Sequence, residues 1–482
     1  MAEGTSSVLY GGRRTRLGRT ARQRTVKSQT ARVFASDHGE VIADSKFDKF
    51  RDWLRLTGFP KTKLTLANFR ETGRGMMATK DIEEGEVIVS VPEKHLITYR
   101  SVSKSYGTDH GLNSHQLLAL HVALQRQFGT RSSWYPYFDM LPADFNTIAV
   151  MYEDKLEALL PRCVQEEVAS QRTKIKASFA AVSDFLKTNC QLLPSPSSSL
   201  TFKDFEWAWL CVNTRCIFLD KKDDAARGGN IALAPMLDFL NHSWEARIQG
   251  GFDAATKCYQ IRTLTPYKKG QQSESFIFLI VFAIIIIIKH YIPQVFINYG
   301  PHDNFFILKE YGFVIPRNPY NYVSLDSEFT ELRVPSETNV AKEHKLGLLK
   351  ERGFLGLSSR QQNKNRDYTL RPNDISFRLL CALRLRVLAS FEHPTTFAAW
   401  EKVVMGQCEC IDERNERETF ECLQTMCHDA IERAGKALEV LGSDDGILRS
   451  SSSPLSVMFV RQIWQESRDI ATGVLEEIRH LS

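Results

Sequence analysis

Apolar positions along this chain change period repeatedly, and each change marks an element. Phe47, Phe50, Trp53 and Leu54 recur at helical spacing and predict a short amphipathic helix ending near Leu56. A β-rich stretch follows: Lys63-Leu-Thr-Leu-Ala67, a turn at Gly73-Arg-Gly75, and Glu86-Val-Ile-Val-Ser-Val91 closed by Pro92. Ser114 is a candidate cap for a helix carrying Leu117, Leu118, Leu120, Val122 and Leu124. Residues 153–190 also read as helical, and Leu193-Pro-Ser-Pro-Ser-Ser-Ser-Leu200 reads as a loop. A further helix starts at Phe202, and Cys258-Tyr-Gln-Ile-Arg-Thr-Leu264 returns to a strand. From Asp374, read as an N-cap, the pattern is helical almost to the end, with Phe377, Leu380, Cys381, Arg384 and Val387 on one face and a break at 442–456. The order β-rich, helical, β-rich, helical implies an α+β fold: a β-rich core split by a helical insertion, followed by an all-α domain. The corresponding boundaries are a basic tail over 1–45, a split core over 46–330 with the insertion at about 96–230, and a helical domain over 331–482.

Charge changes this picture at one end only. The net charge is +5, but residues 1–36 hold eight basic groups against Glu3, so the rest of the chain is slightly acidic. A tail rich in Arg, Ser, Thr and Gly cannot bury enough apolar surface to fold alone. It reads as a nuclear-localisation or nucleic-acid-touching arm, which implies nucleus and cytoplasm, with a mitochondrial transit peptide as the weaker reading. Ten cysteines are scattered without a CxxC pair, and Cys408-x-Cys410 is the one tight spacing. With no apolar signal segment after Met1, this composition points to reduced thiols, no zinc and no disulfide framework. Isolated histidines such as His115 and His121 read as helix-surface or core residues, and Glu413-Arg-Asn-Glu-Arg-Glu418 as a solvated helix face.

One segment conflicts with its surroundings. Phe276-Ile-Phe-Leu-Ile-Val-Phe-Ala-Ile-Ile-Ile-Ile-Ile288 is wholly apolar but shorter than the roughly twenty residues that span a bilayer, so no membrane contact is expected. Without 272–293 the chain would run Lys-Lys-Gly-Gln-Gln-Val-Phe-Ile-Asn-Tyr-Gly. The run of Phe, Ile, Leu and Val reads as translated intron rather than as a genuine insertion.

Three segments carry candidate chemistry. The first is Thr72-Gly-Arg-Gly-Met-Met-Ala-Thr79, where paired glycines let backbone approach a ligand or simply turn between strands. The second is Pro235-Met-Leu-Asp-Phe-Leu-Asn-His-Ser243, an apolar run ending in an Asn and a His that could pin a polar ligand. The third pairs Phe296-Ile-Asn-Tyr-Gly-Pro301 with Lys309-Glu-Tyr-Gly-Phe313. Together and in this order they resemble the SET methyltransferases. More closely the chain resembles the split-SET group typified by the Rubisco large-subunit methyltransferase. Trp134-Tyr-Pro-Tyr-Phe-Asp-Met-Leu-Pro142 and Trp207-Ala-Trp-Leu-Cys-Val-Asn-Thr-Arg215 in the insertion fit the same group.

The resemblance implies S-adenosylmethionine as cofactor and a role for each matching residue. Gly75 and Met77 would offer backbone to it, Asn241 its side chain to the methionine moiety, and His242 its backbone to adenine. Arg215 would reach the cofactor carboxylate, Asp238 would lie near cofactor and target, Tyr299 matches the catalytic tyrosine, and Tyr311 an aromatic beside the cofactor. Some relatives carry Arg where Met77 stands. The implied reaction is methylation of lysine on histones or other proteins, so the expected partner is a protein substrate, with weak nucleic-acid contact through the tail. Histidine methylation and a non-catalytic peptide-binding SET module are the alternatives. A sulfonium methyl is already activated, so such an enzyme mainly aligns an in-line attack. The attacking lysine must be neutral although it titrates near pH 10.4, and an apolar channel favours that form.

Deleting 272–293 should preserve or raise soluble yield, because it shortens a loop and removes an aggregation-prone run. Expression of the two forms side by side checks this, and a deletion that abolishes folding would mark the segment as genuine.

Overall fold

The computed structural model describes residues 39–479 apart from 71, 108–109, 196, 220–229, 268–293, 336, 356–367 and 443–452. The basic tail up to residue 38 and the anomalous segment 272–293 therefore lie outside the described residues. The described chain opens with β1 (Glu40–Val41), which pairs antiparallel with β2 (Leu64–Phe69). β1 thus lies a few residues before the boundary at 45 read from composition.

Helix α1 (Ser45–Leu56) starts at Asp44, whose carboxylate accepts from the Lys46 N–H at 2.8 Å. Its apolar stripe buries Phe47, Phe50 and Leu54 against the main core. Strand β2 then turns back into β3 (Gly73–Ala78), in register from Leu64 opposite Ala78 to Phe69 opposite Gly73. The strands β4 (Val87–Pro92) and β5 (Ile97–Thr98) lead into the helical insertion.

In the insertion, α2 (Ser114–Phe128) is capped by Asn113 in a reciprocal box with Gln116. Ser114, expected as the cap, is the helix's first residue. The helices α3 (Arg162–Thr188) and α4 (Phe202–Arg215) complete the layer, with α2 and α4 packed face to face through Leu117, Leu120, Phe205 and Trp209. The chain leaves α4 directly into β6 (Cys216–Phe218), then β7 (Ile231–Leu233), which lies between β5 and β6. Further on come β8 (Asn241–His242), β9 (Ile248–Asp253), β10 (Cys258–Thr263) and β11 (Gln294–Ile297). β10 pairs with both β4 and β9, while β11 closes the sheet β1-β2-β3-β11-β8.

Beyond it, α5 (Asn304–Tyr311) begins at an Asp303 cap and leads to a second core. There a small sheet of β12 (Val323–Ser324), β13 (Thr369–Arg371) and β14 (Asp374–Ile375) precedes the helices. α6 (Asn339–Glu351) lies between β12 and β13 in sequence, and α7 (Phe377–Arg386), α8 (Pro394–Val404), α9 (Glu413–Gly442) and α10 (Pro454–Ile478) follow β14. Asp374, read as an N-cap, is a strand residue, and Ser376 caps α7 instead, accepting from the Leu379 N–H. Of the expected α7 face, Cys381, Arg384 and Val387 are buried and Phe377 is exposed; Leu379, Ala382, Leu383 and Leu385 are buried as well, so the later part of the helix is enclosed on all sides. Two of its buried residues are cations: Arg386 meets Glu337, and Arg384 makes a two-pronged bond to Glu416 at 2.7 and 2.8 Å. Glu416 is for that reason not part of a wholly solvated face. Among the described residues no helix is long and apolar enough to cross a membrane, and no cluster of three metal-ligating side chains occurs.

Four buried histidines resist protonation. Burial pushes His95, His115, His121 and His242 down to about 4. His115 lies on the Trp209 ring at 4.4 Å, and His121 Nδ1 bonds the Tyr106 hydroxyl at 3.0 Å. Because the folded values lie below the unfolded one, the stability these groups contribute is full above about pH 6.5. It should fall as pH drops towards 4, with a slope of about 1.4 kcal/mol per pH unit per histidine. Urea titrations at stepped pH check this, and His121→Gln should flatten the slope. A curve flat between pH 6.5 and 4 would remove the histidines as the cause.

Candidate active site

Three distant segments meet because of two strand pairings. β11 runs antiparallel to β3, with Gln294 opposite Met77 and Val295 opposite Met76. It also runs parallel to β8, with Phe296 opposite Asn241 and Ile297 opposite His242. The stretches around Gly75, Asn241 and Tyr299 thus meet at β11, whereas the segment 309–313 comes from α5 and the residues just after it.

At the open half of β3, side chains replace a neighbouring strand. Asn241 Nδ2 donates to the Arg74 and Thr72 carbonyls at 3.2 and 3.4 Å. Gln294 Oε1 accepts from the Thr72 hydroxyl at 2.7 Å, while its Nε2 is buried with no hydrogen-bond partner among the described residues. Gly75 sits beneath both: a Cβ there would overlap Gln294 Nε2 and lie 2.8 Å from Asn241 Nδ2. The close approach here is to the chain's own amide side chains, whereas the pairing with Gly73 had left open an approach to a ligand or a turn between strands. Met77 differs from Gly75. Its side chain is buried with Ala67 and Phe69, and its backbone is flanked by β2 and β11.

The tyrosines form the next layer. Tyr299 donates its hydroxyl to the Leu240 carbonyl at 2.7 Å, and its ring stacks on His242 at 5.0 Å. The Tyr299 N–H donates to His242 Nδ1 at 3.0 Å, a bond that needs the neutral ring which burial enforces. Tyr311, the last residue of α5, has its ring 5.0 Å from that of Tyr299. Burial raises both phenols, Tyr311 to about 12, so both stay neutral at ordinary pH.

Behind them is a charged cluster. Arg215, at the end of α4, donates through Nη1 to the Asp238 carbonyl at 2.8 Å and approaches its carboxylate at 3.4 Å. Asp238 is fully buried and takes the Tyr137 hydroxyl at 3.1 Å, while its second oxygen and Arg215 Nε have no hydrogen-bond partner among the described residues. Burial pushes the Asp238 carboxyl up, and Arg215, Tyr137 and Arg74 pull it back. Sequence reading missed Arg74 and Tyr137. Arg74 shares the Phe239 ring with Arg215, at 5.3 and 5.8 Å, and donates to the Met140 carbonyl at 2.8 Å. Burial, then Arg215, lowers it to about 10. Both residues lay inside segments already singled out, Arg74 between the paired glycines, so a search for polar residues there would have found them.

With this geometry in place, the matches to known proteins are informative. The SET domain family matches residues 73–272, and the Rubisco LSMT substrate-binding family matches residues 337–470. The chain belongs to the SET-domain methyltransferase family. Over nearly its whole length it is similar to mouse SET domain-containing protein 4, at 32% identity, covering 95% of this chain and 98% of that one. It is also similar to actin-histidine N-methyltransferase of Danio rerio, at 28% identity over 48% of this chain and 40% of the relative. Among solved structures, the SET domain of LSMT bound to lysine and AdoHcy shares its fold, with a TM-score of 0.59 at 17% identity over 91% of this chain and 92% of that one.

Gly75→Ala should lower unfolding stability by about 1–3 kcal/mol through overpacking against Gln294 and Asn241. Gly73→Ala should cost about 1 kcal/mol, since its Cβ would meet no atom and only the φ of +69° is strained. Chemical denaturation of both variants checks the order, and equal losses would show that Gly75 is not closely packed.

Proposed function

We propose that this protein transfers a methyl group from S-adenosylmethionine to a lysine nitrogen of a protein substrate. The observation that carries the reading is the convergence on β11, where the Gly75–Asn241–Gln294 cradle adjoins a neutral, anchored Tyr299. The residues fit the cofactor. Among the described residues, Gln294 Nε2, Arg215 Nε and one Asp238 oxygen are buried without hydrogen-bond partners, and a polar ligand would satisfy such groups. In this reading Gly75 lets the Gln294 and Asn241 amides close over the strand and border the ligand, His242 offers its backbone beside them, and Arg215 takes the carboxylate. Arg74 adds a second cation beside Arg215. Met77 contributes backbone at most, given the burial of its side chain.

The cofactor supplies an activated methyl on a sulfonium, and the chain's own residues orient the acceptor. Tyr299 donates its hydroxyl hydrogen bond to the Leu240 carbonyl, so its oxygen lone pairs are left to accept from an amine. With its ionisation suppressed it positions and does not act as a base. The Tyr299–Tyr311 wall is aromatic and buried, which favours the uncharged amine over the ammonium. Lysine is preferred because the solved neighbour is named as bound to lysine together with AdoHcy. Histidine is the second reading, favoured by the actin-histidine relative. The region matching the Rubisco LSMT substrate-binding family supports a protein as substrate. Histones and other protein lysines are the candidate targets, and the basic tail is the candidate for nuclear entry and nucleic-acid contact.

Labelled S-adenosylmethionine and a protein extract, followed by mapping of the modified residue, test this reading. The expected product is methyllysine; methylhistidine would establish the second reading, and no label would overturn both. Asn241→Ala should shrink the rise in Tm that the cofactor produces. Tyr299→Phe should lower turnover at least tenfold with cofactor affinity unchanged. Wild-type turnover in Tyr299→Phe would remove Tyr299 from the chemistry.

A further inference from the structure

Helix α5, which ends in Tyr311, is held from the far side by a carboxylate on the C-terminal helix. Glu466 of α10 accepts through Oε1 from the Arg317 N–H at 2.8 Å and from Gln462 Nε2 at 3.0 Å. Its Oε2 accepts from Asn304 Nδ2 at 3.2 Å and from Asn321 Nδ2. All four donors are neutral. Burial pushes the carboxyl up, while these bonds draw it back. A buried carboxylate among neutral donors is costly unless its bonds are well made.

What it holds is a closed loop around the start of α5. The Asn304 N–H donates to Asn321 Oδ1 at 2.7 Å, and Asn304 Oδ1 accepts from the Ile315 N–H at 2.9 Å and from Asn318 Nδ2 at 3.2 Å. Arg317, whose N–H Glu466 accepts, has φ of 54°, a left-handed conformation that a non-glycine residue keeps only when its surroundings fix it. Phe305 and Leu308 of α5 pack in one apolar cluster with Val460, Ile463 and Trp464 of α10. At its other end α5 places Tyr311 5.0 Å from Tyr299.

We propose that Glu466 is a positioning residue, which through Asn304, Asn321 and Arg317 fixes α5 and thereby the Tyr311 wall beside Tyr299. The C-terminal helices then take part in the chemistry as well as in substrate docking. This inference rests on the methyltransferase reading for its kinetic consequence and on geometry alone for the clamp.

Glu466→Gln is the discriminating change. It keeps the size but turns an NH2 towards donors. Asn304 and Asn321 cannot rotate to accept it without releasing Ile315, Asn318 or the Asn304 N–H. Glu466→Asp keeps the charge and should restore part of the effect. In the full chain, kcat per site titrated with S-adenosylmethionine should fall at least tenfold in Glu466→Gln, with KM and cofactor Kd within twofold. Hydrogen exchange should quicken at the Ile315, Arg317 and Gly312 amides, while β2 and β3 stay protected. A kcat within twofold of wild type, or a loss that only follows the folded fraction, overturns the proposal. If wild-type protein methylates nothing, the methyltransferase reading fails, and exchange alone decides: an unchanged Gly312 amide would show that the clamp does not reach Tyr311.

Discussion

The site depends on β11 lying between β3 and β8. The partners of this four-residue strand, Met76 and Met77 on one side and Asn241 and His242 on the other, are far away in sequence. Closing such loops costs entropy before any contact repays it, so each partner must be well packed. Val295 and Met76 are fully buried in the main core, and Ile297 is nearly so. The pairing ends just before Tyr299, which places that residue at the rim and hands its backbone N–H to His242. Strand geometry therefore fixes Tyr299 before any ligand enters.

The second requirement is an aromatic wall beside Tyr299, and no strand supplies it. Tyr311 comes from α5, which is packed between the insertion and the last two helices: Ala149, Leu156 and Val168 on one side, Ala434, Val460 and Trp464 on the other. Direct bonds cross the same boundary, from the Trp464 indole to the Leu159 carbonyl at 2.7 Å and from the Ser456 hydroxyl to the Asn146 carbonyl at 2.8 Å. The helical insertion and the C-terminal helices thus meet around the element that completes the pocket. That arrangement gives a physical reason for a split core: the segment between β5 and β7 supplies α3 and α4, and α4 ends on Arg215.

The α+β architecture was legible because its signals are local. Strand alternation over 64–91, helical spacing in α1 and α2, and the glycine pair at 73 and 75 each follow from residues close in sequence. The candidate segments were legible as segments, and the structure gathers Gly75, Arg215, Asp238, Asn241, His242, Tyr299 and Tyr311 around β11 and its neighbours. What escaped was non-local. Asp374 looks like a cap until β13 claims it, and α7 is buried beyond its expected face, where Arg386 meets an acid from another element. Arg74 and Tyr137 carry no periodic signal, and only the approach of Phe239 and Asp238 gives them partners.

Electrostatics divides the site into two halves with different duties. On the Tyr299 side every titratable ring is held neutral by burial: His242 low, Tyr299 and Tyr311 high. On the Arg215 side burial pushes the Asp238 carboxyl up, and Arg215, Tyr137 and Arg74 draw it back. A zwitterionic ligand bearing a nearby cationic centre needs both environments at once. Its carboxylate is best held beside arginines, whereas burial in an aromatic wall favours an uncharged acceptor amine. Arg215 and Tyr137 occupy one Asp238 oxygen, and the other has no partner among the described residues. The separation follows from topology: the charged half comes from α4, β3 and the segment before β8, and the neutral half from the end of β11 and from α5. Moving either half relative to the other would leave a buried charge unpaired or an aromatic wall open, so the packing that fixes β11 and α5 also fixes the electrostatics.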